Sequence, residues 1–189
     1  MKGCFKMMDR FREDVVIKKN RVPEEIMYYL SAVIMVVSAL IAVIEINGVV
    51  YSVTSGNFSI FDLILFLING GIAALLFLYR DRLRTEYEYT FTNGVLDFAQ
   101  VYNNKKRKSL GSLKIANVDA FGKVSSGSFH RYVTMEGVKQ NRWFLNREAE
   151  LYYFYFSKDS NKRLIIFEPV PEMVDYIKAY LPYGAYQEN

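Results

Sequence analysis

Few side chains in this chain are spaced for covalent chemistry. His130 is the only histidine and Cys4 the only cysteine of the 189 residues. They lie far apart in sequence, so neither a Cys/His nucleophile pair nor a zinc ligand set can be read from the chain. His130 follows a Ser/Gly-rich stretch, as a surface or capping histidine would. Glu86 and Glu88 alternate with aromatics, which puts them together on the solvent side of a strand. No glycine-rich phosphate loop of the Walker type occurs, and the Gly70-Gly71 pair falls inside an apolar run. No nucleophile stands beside a base at a readable spacing. The sequence predicts no catalysis, no metal and no cofactor.

Binding chemistry is more visible. Lys105, Lys106, Arg107 and Lys108 are four consecutive cations beside two asparagines. On a tight hairpin they would form a cationic tip able to contact anionic lipid headgroups or an acidic partner. Each cation near such a surface contributes about 1 kcal/mol, falling off within a Debye length. The same residues also suit a solvated turn whose lysines keep a strand edge from pairing. Trp143, the only tryptophan, sits among Arg142, Phe144 and Leu145 and is expected in a core, with an interface anchor as the alternative.

The elements that carry these residues begin with two apolar runs, 26–44 and 60–79. The first has no charged side chain and the second has only Asp62. At ~1.5 Å per residue each makes roughly 28–30 Å of helix, about the hydrocarbon thickness of a bilayer. Apolar on every face, they could not be wrapped by the rest of so short a chain. They are read as a transmembrane hairpin occupying 23–84. Glu45 and Asp62 fall near the outer ends of the runs, where water-exposed interfacial carboxylates are expected rather than an ion path. Ser31, Ser38 and Ala42 on the first helix, with Gly70 and Ala74 on the second, are small residues suited to close packing. Asn69 could add a hydrogen bond across the pair.

Orientation follows from the flanks. Lys18, Lys19 and Arg21 precede the first run, Arg80, Arg82 and Arg84 follow the second, and the loop between has neither Lys nor Arg. The positive-inside bias predicts two spans in the cell membrane with both termini cytoplasmic. Pro23 suits the first turn of the first helix. The net charge of +4 lies partly on these flanks and is too scattered to argue for nucleic acid. With one cysteine there is no intramolecular disulfide, and neither a lipoprotein signal nor a cleavable signal peptide is expected.

Residues 1–22 carry Phe5, Met8, Phe11, Val15 and Val16 among mixed charges, a spacing that predicts a short amphipathic helix. From Thr85 the pattern turns to strands. TEYEYTF alternates, Asn93-Gly94 is a hairpin turn, and Val95–Tyr102 returns. Asn103-Asn104-Lys105 makes a second turn before Lys106–Leu113. Further strands are expected at Val118–Val124, Arg142–Leu145, Leu151–Phe156 and Arg163–Phe167. Gly122–Ser128 is expected as a flexible loop, and Pro171–Leu181 as a helix. No helices of about 10–15 residues alternate with the strands, so a parallel α/β sheet is not expected. The expected domain, 85–189, is an antiparallel barrel or sandwich of about seven strands with a C-terminal helix. Tyr87, Tyr89, Phe91, Tyr153, Tyr155, Phe156 and Phe167 supply its core.

That order of elements looks like the pleckstrin-homology-like fold. YEYTFTNGVLDF, the KKRK hairpin, His130–Tyr132, RLIIFEPVPEMVDYIKAYLP and FREDVVIKK together resemble a family of uncharacterised Gram-positive bacterial membrane proteins. Residues 136–150 depart from that pattern. The resemblance implies a two-helix anchor with a cytoplasmic PH-like domain and carries no activity or functional residues. The expectation is a membrane-anchored binding or scaffolding module. The alternative is an accessory subunit of a transporter or other membrane complex, with the helical hairpin as its contact surface.

Overall fold

The computed structural model describes residues 10–158 and 161–188. The chain forms two compact units. One combines the segment ending at Lys19 with everything from Glu86 onward; the other is Asn20–Thr85.

The helical unit holds α1 (Val22–Thr54) and α2 (Ile60–Tyr79). Pro23 lies in the first turn of α1, with Glu24 and Glu25 beside it, where acidic groups complement the helix dipole. At its base the Arg84 guanidinium pairs with Glu25 and sits 3.8 Å from the Tyr28 ring centroid. α1 runs ten residues beyond Ile44, through the stretch expected as a loop. Glu45 is therefore inside the helix and not at an outer end. It is accommodated because Asn69 Nδ2 donates to both carboxylate oxygens at 3.1 and 3.2 Å. Asp62, by contrast, lies in the first turn of α2, where its N–H donates to the Ser59 hydroxyl at 3.3 Å.

Ser31, Ser38 and Ala42 are buried, as expected of a packing stripe. The matching residues on α2 are less enclosed. Gly70 is half-buried, but a Cβ built there meets nothing within 4 Å, and Ala74 is exposed. Asn69 reaches Glu45 across the pair, and Ala73, one turn on, is half-buried. The outward rows stay apolar, with Val33, Leu40, Val43, Phe61 and Phe77 all exposed. Both helices are long and apolar enough to cross a membrane.

The other unit is built from two sheets. The first is β1 (Phe11–Val16), β2 (Thr85–Thr92), β3 (Val95–Tyr102) and β4 (Lys106–Lys114), in that order. The second comprises β5 (Ala120–Lys123), β6 (Val138–Trp143), β7 (Tyr152–Lys158), β8 (Asn161–Phe167) and β9 (Tyr186–Gln187), in the order β6-β8-β7-β5-β9. A short α3 (Gly127–Val133) and a C-terminal α4 (Pro171–Lys178) complete it.

Asn93 and Gly94 both take positive φ (47° and 86°), the primed turn expected between β2 and β3. Gly94 is also required by space, because a Cβ there would lie 2.5 Å from the Tyr180 ring.

Several expectations change. The described strands number nine, and the two sheets do not close into a barrel. The pairing is not wholly antiparallel, since β6 runs parallel to β8 and β5 to β9. The amphipathic helix expected over 1–22 is, within its described part, the edge strand β1. FREDVV alternates with period two as well as it fits a helix, and β2 supplies the partner that decides between them. Its first residues, with Cys4, Phe5 and Met8, lie outside the described residues. The described N-terminal residues up to Lys19 are thus part of the sheet unit, and the helical unit is an insertion between β1 and β2. Part of the loop expected over Gly122–Ser128 is the start of α3.

Tyr89, Phe91, Leu96 and Phe98 from the first sheet meet Phe121, Phe154 and Phe167 from the second, with Met173 and Ile177 of α4. Tyr153 and Tyr155 do not join them. They point to the opposite face of β7 and pack with Tyr132 of α3, Leu164 and Ile166. The second sheet is therefore covered on both faces, which is why YYFYF is a continuous buried run.

Candidate functional site

The cationic stretch lies where its turn chemistry places it. Asn103 and Asn104 take φ of 50° and 53°, and the Lys105 N–H closes the turn on the Tyr102 carbonyl at 3.0 Å. Lys105, Lys106, Arg107 and Lys108 are all exposed.

They do not act as one block. Strand alternation puts Lys106 and Lys108 on one face of β4 and Arg107 on the other. Lys106 pairs in register with Tyr102 and Lys108 with Gln100. Arg107 instead reaches Glu88 at 2.6 Å, with Glu13 at 3.9 Å. Its charge is largely spent on these carboxylates, which belong to β1 and β2. Glu88 is therefore an ion-pair partner and not plain solvent facing, and Glu86 is buried. A shallow cavity of about 200 Å³ lies at this tip, lined by Glu88, Asn104 and the three residues Lys105–Arg107. The usable cationic face is Lys106 and Lys108.

A larger cavity of about 670 Å³ opens elsewhere, between the end of β1, the 146–150 segment and the β8–α4 connection. Its organiser is Asn146. The side-chain amide donates to the Ile17 carbonyl and to Glu168 Oε1, both at 2.9 Å, and its carbonyl accepts from the Lys19 N–H at 2.8 Å. Its backbone N–H also donates to Glu168 at 3.1 Å. Glu150 lines the same cavity and accepts from Lys123. That hydrogen bond holds the carboxyl below its usual range and the ammonium above its own. Nothing in the sequence singled out Asn146, because its partners come from the residues just after β1 and just after β8.

His130 is exposed on α3, and its carbonyl accepts from Thr134. Trp143 packs half-buried against the core, its ring 4.7 Å from that of Phe98. Among the described residues, no group of three or more His, Cys, Asp or Glu is placed to hold a metal ion.

No curated protein and no solved structure matches the chain. One family model does, described as Bacterial PH-like domain (DUF6106), and it spans residues 8–187, taking in β1, the helical insertion and every later element. The two-sheet unit with its C-terminal helix and the extent of that match together establish that this chain belongs to the bacterial PH-like domain family.

Proposed function

We propose that this chain is a membrane-anchored PH-like module that binds a ligand and does no chemistry on it. The observation that carries the reading is the place of the helical insertion. β1 and β2 are antiparallel partners, so the two ends of the insertion, after Val16 and before Tyr87, return to one edge of one sheet. A pair of apolar helices inserted this way leaves both its ends, and the sheet domain, on the same side of a bilayer. The basic flanks favour the cytoplasm as that side. Anionic inner-leaflet lipid is the proposed contact of Lys106 and Lys108, which stand on a domain tethered at two points.

The test uses the full chain in nanodiscs of neutral or phosphatidylglycerol-containing lipid. Hydrogen exchange at Tyr102–Lys108 should slow in the anionic discs. Lys106→Gln with Lys108→Gln should abolish the difference, a loss of about 2 kcal/mol that salt also erodes. Equal exchange in both lipids would remove the lipid contact. A chain that stays soluble without detergent would remove the anchor.

A second reading, an accessory subunit of a membrane complex, draws on a groove of about 460 Å³ along the helix pair, lined by Ala39, Ala73, Ala74 and Phe77 among others. Small residues along such a groove suit close approach of another helix. Co-purification of one membrane protein that is lost with Ala73→Leu would favour it.

A further inference from the structure

We infer a second, separate site: an oxyanion pocket in the seam between β4 and β6. These are edge strands of different sheets, and they do not pair with each other. The seam encloses about 200 Å³. It is lined on the β4 side by Leu110–Ser112, where the pairing with β3 is bulged opposite Phe98 and Ala99. Gly111 there takes a φ of 143°, and a Cβ on it would meet nothing within 4 Å, so the backbone stands clear of the facing strand.

The opposite wall is graded by register. Trp143 of β6 pairs with Phe167 of β8, then Asn141 with Ile165, then Lys139 with Arg163. All three rows share the core-facing side, since positions two apart on a strand point the same way. The pocket therefore has an aromatic floor of Phe98, Trp143 and Phe156, and a rim of Lys139, Lys158 and Arg163. Among the described residues that line it there is no carboxylate. Asp97, the nearest acid along β3, is exposed and holds the Ser112 hydroxyl.

Two features of this rim are costly as they stand. Lys139 and Arg163 are directly opposed like charges on neighbouring strands, an arrangement that destabilises a sheet. The Arg163 Nε is shut off from solvent and has no hydrogen-bond partner among the described residues, and an unsatisfied donor of that kind calls for an explanation. An anion in the seam answers both. With the Arg163 side chain turned toward it, its oxygens would accept from Nε and from the two ammonium groups, and a flat or apolar body would lie on Trp143. The volume admits a phosphate or carboxylate on a small ring and excludes a nucleotide-sized ligand. This pocket is independent of the Lys106/Lys108 face.

Trp143 is the only tryptophan, so its emission reports on the pocket directly. The probe is phenyl phosphate, added to the full chain in neutral-lipid nanodiscs. Expected is saturable quenching, weakened at least about tenfold in Lys139→Gln and in Arg163→Gln, and unmoved by Lys106→Gln. Lys139→Gln, whose side chain is exposed, should also raise the melting temperature of the unliganded chain by relieving the like-charge pair. Affinity and stability would then move in opposite directions, which a purely structural lysine would not produce. Quenching lost in phosphatidylglycerol discs assigns the oxyanion to a lipid phosphate, and quenching retained there assigns it to a soluble anion. Either result supports the site. No saturable quenching, or quenching unchanged by both substitutions, overturns it.

Discussion

Val16 and Tyr87 face each other across the β1–β2 ladder although the whole helical insertion lies between them in sequence. Val16 is buried in the aromatic core, and Tyr87 packs against that core. One strand pair thus closes the longest loop in the chain and completes the first sheet.

The insertion should therefore be removable, whereas β1 should not. Replacing 20–85 by a short Gly/Ser linker is expected to give a soluble, cooperatively melting domain. The fragment from Glu86 onward, lacking β1, is expected to melt earlier or not fold. Val16→Ala in the linked domain should cost about 1–2 kcal/mol in urea titration.

Within the helical unit, Asn69→Leu leaves the Glu45 carboxylate without its partner across the helix pair. The expected loss of helix–helix stability is about 1 kcal/mol, measured by steric trapping in bilayers. The double change with Glu45→Gln should recover part of it.

On the hairpin, charge location predicts an order of effects. Lys106→Gln should weaken contact with anionic lipid more than Arg107→Gln does, since Arg107 is already committed to Glu88. Flotation with phosphatidylglycerol vesicles at low and high salt would rank them. The reverse order would mean that the Arg107–Glu88 pair opens on binding.

Tyr89 sets an alkaline limit. Burial pushes its hydroxyl well above the ordinary tyrosine value, and that hydroxyl donates to the Trp143 carbonyl. The folded state holds the proton more tightly than the unfolded state. Its contribution is therefore complete below about pH 10 and is lost above it, at about 1.4 kcal/mol per pH unit. Tyr89→Phe should cost about 1–3 kcal/mol at neutral pH, because it strands the Trp143 carbonyl. It should also flatten the alkaline slope of melting temperature against pH.

Cys4, the sole thiol, tests the side of the membrane. It is expected to resist an impermeant maleimide on intact cells and to react once they are opened. Labelling from outside would reverse the orientation.

The sequence alone determined whatever rests on local chemistry. Asn93-Gly94 and Asn103-Asn104 dictated their turns because few residues tolerate positive φ. The runs at 26–44 and 60–79 dictated helices because backbone in an apolar surrounding must satisfy its own hydrogen bonds. Pro171 and the spacing of Met173, Val174 and Ile177 dictated α4. Tertiary structure decided what needed a distant partner. FREDVV became a strand because β2 was free to pair with it. Glu45 could lie within α1 because Asn69 reached it from the other helix. Arg107 parted from its lysine neighbours because Glu88 and Glu13 lay across the sheet on its side alone. Lys139 and Arg163 met only through the parallel register of β6 on β8. Turns and helices are fixed by neighbours along the chain, whereas these four outcomes are fixed by groups that only folding brings together.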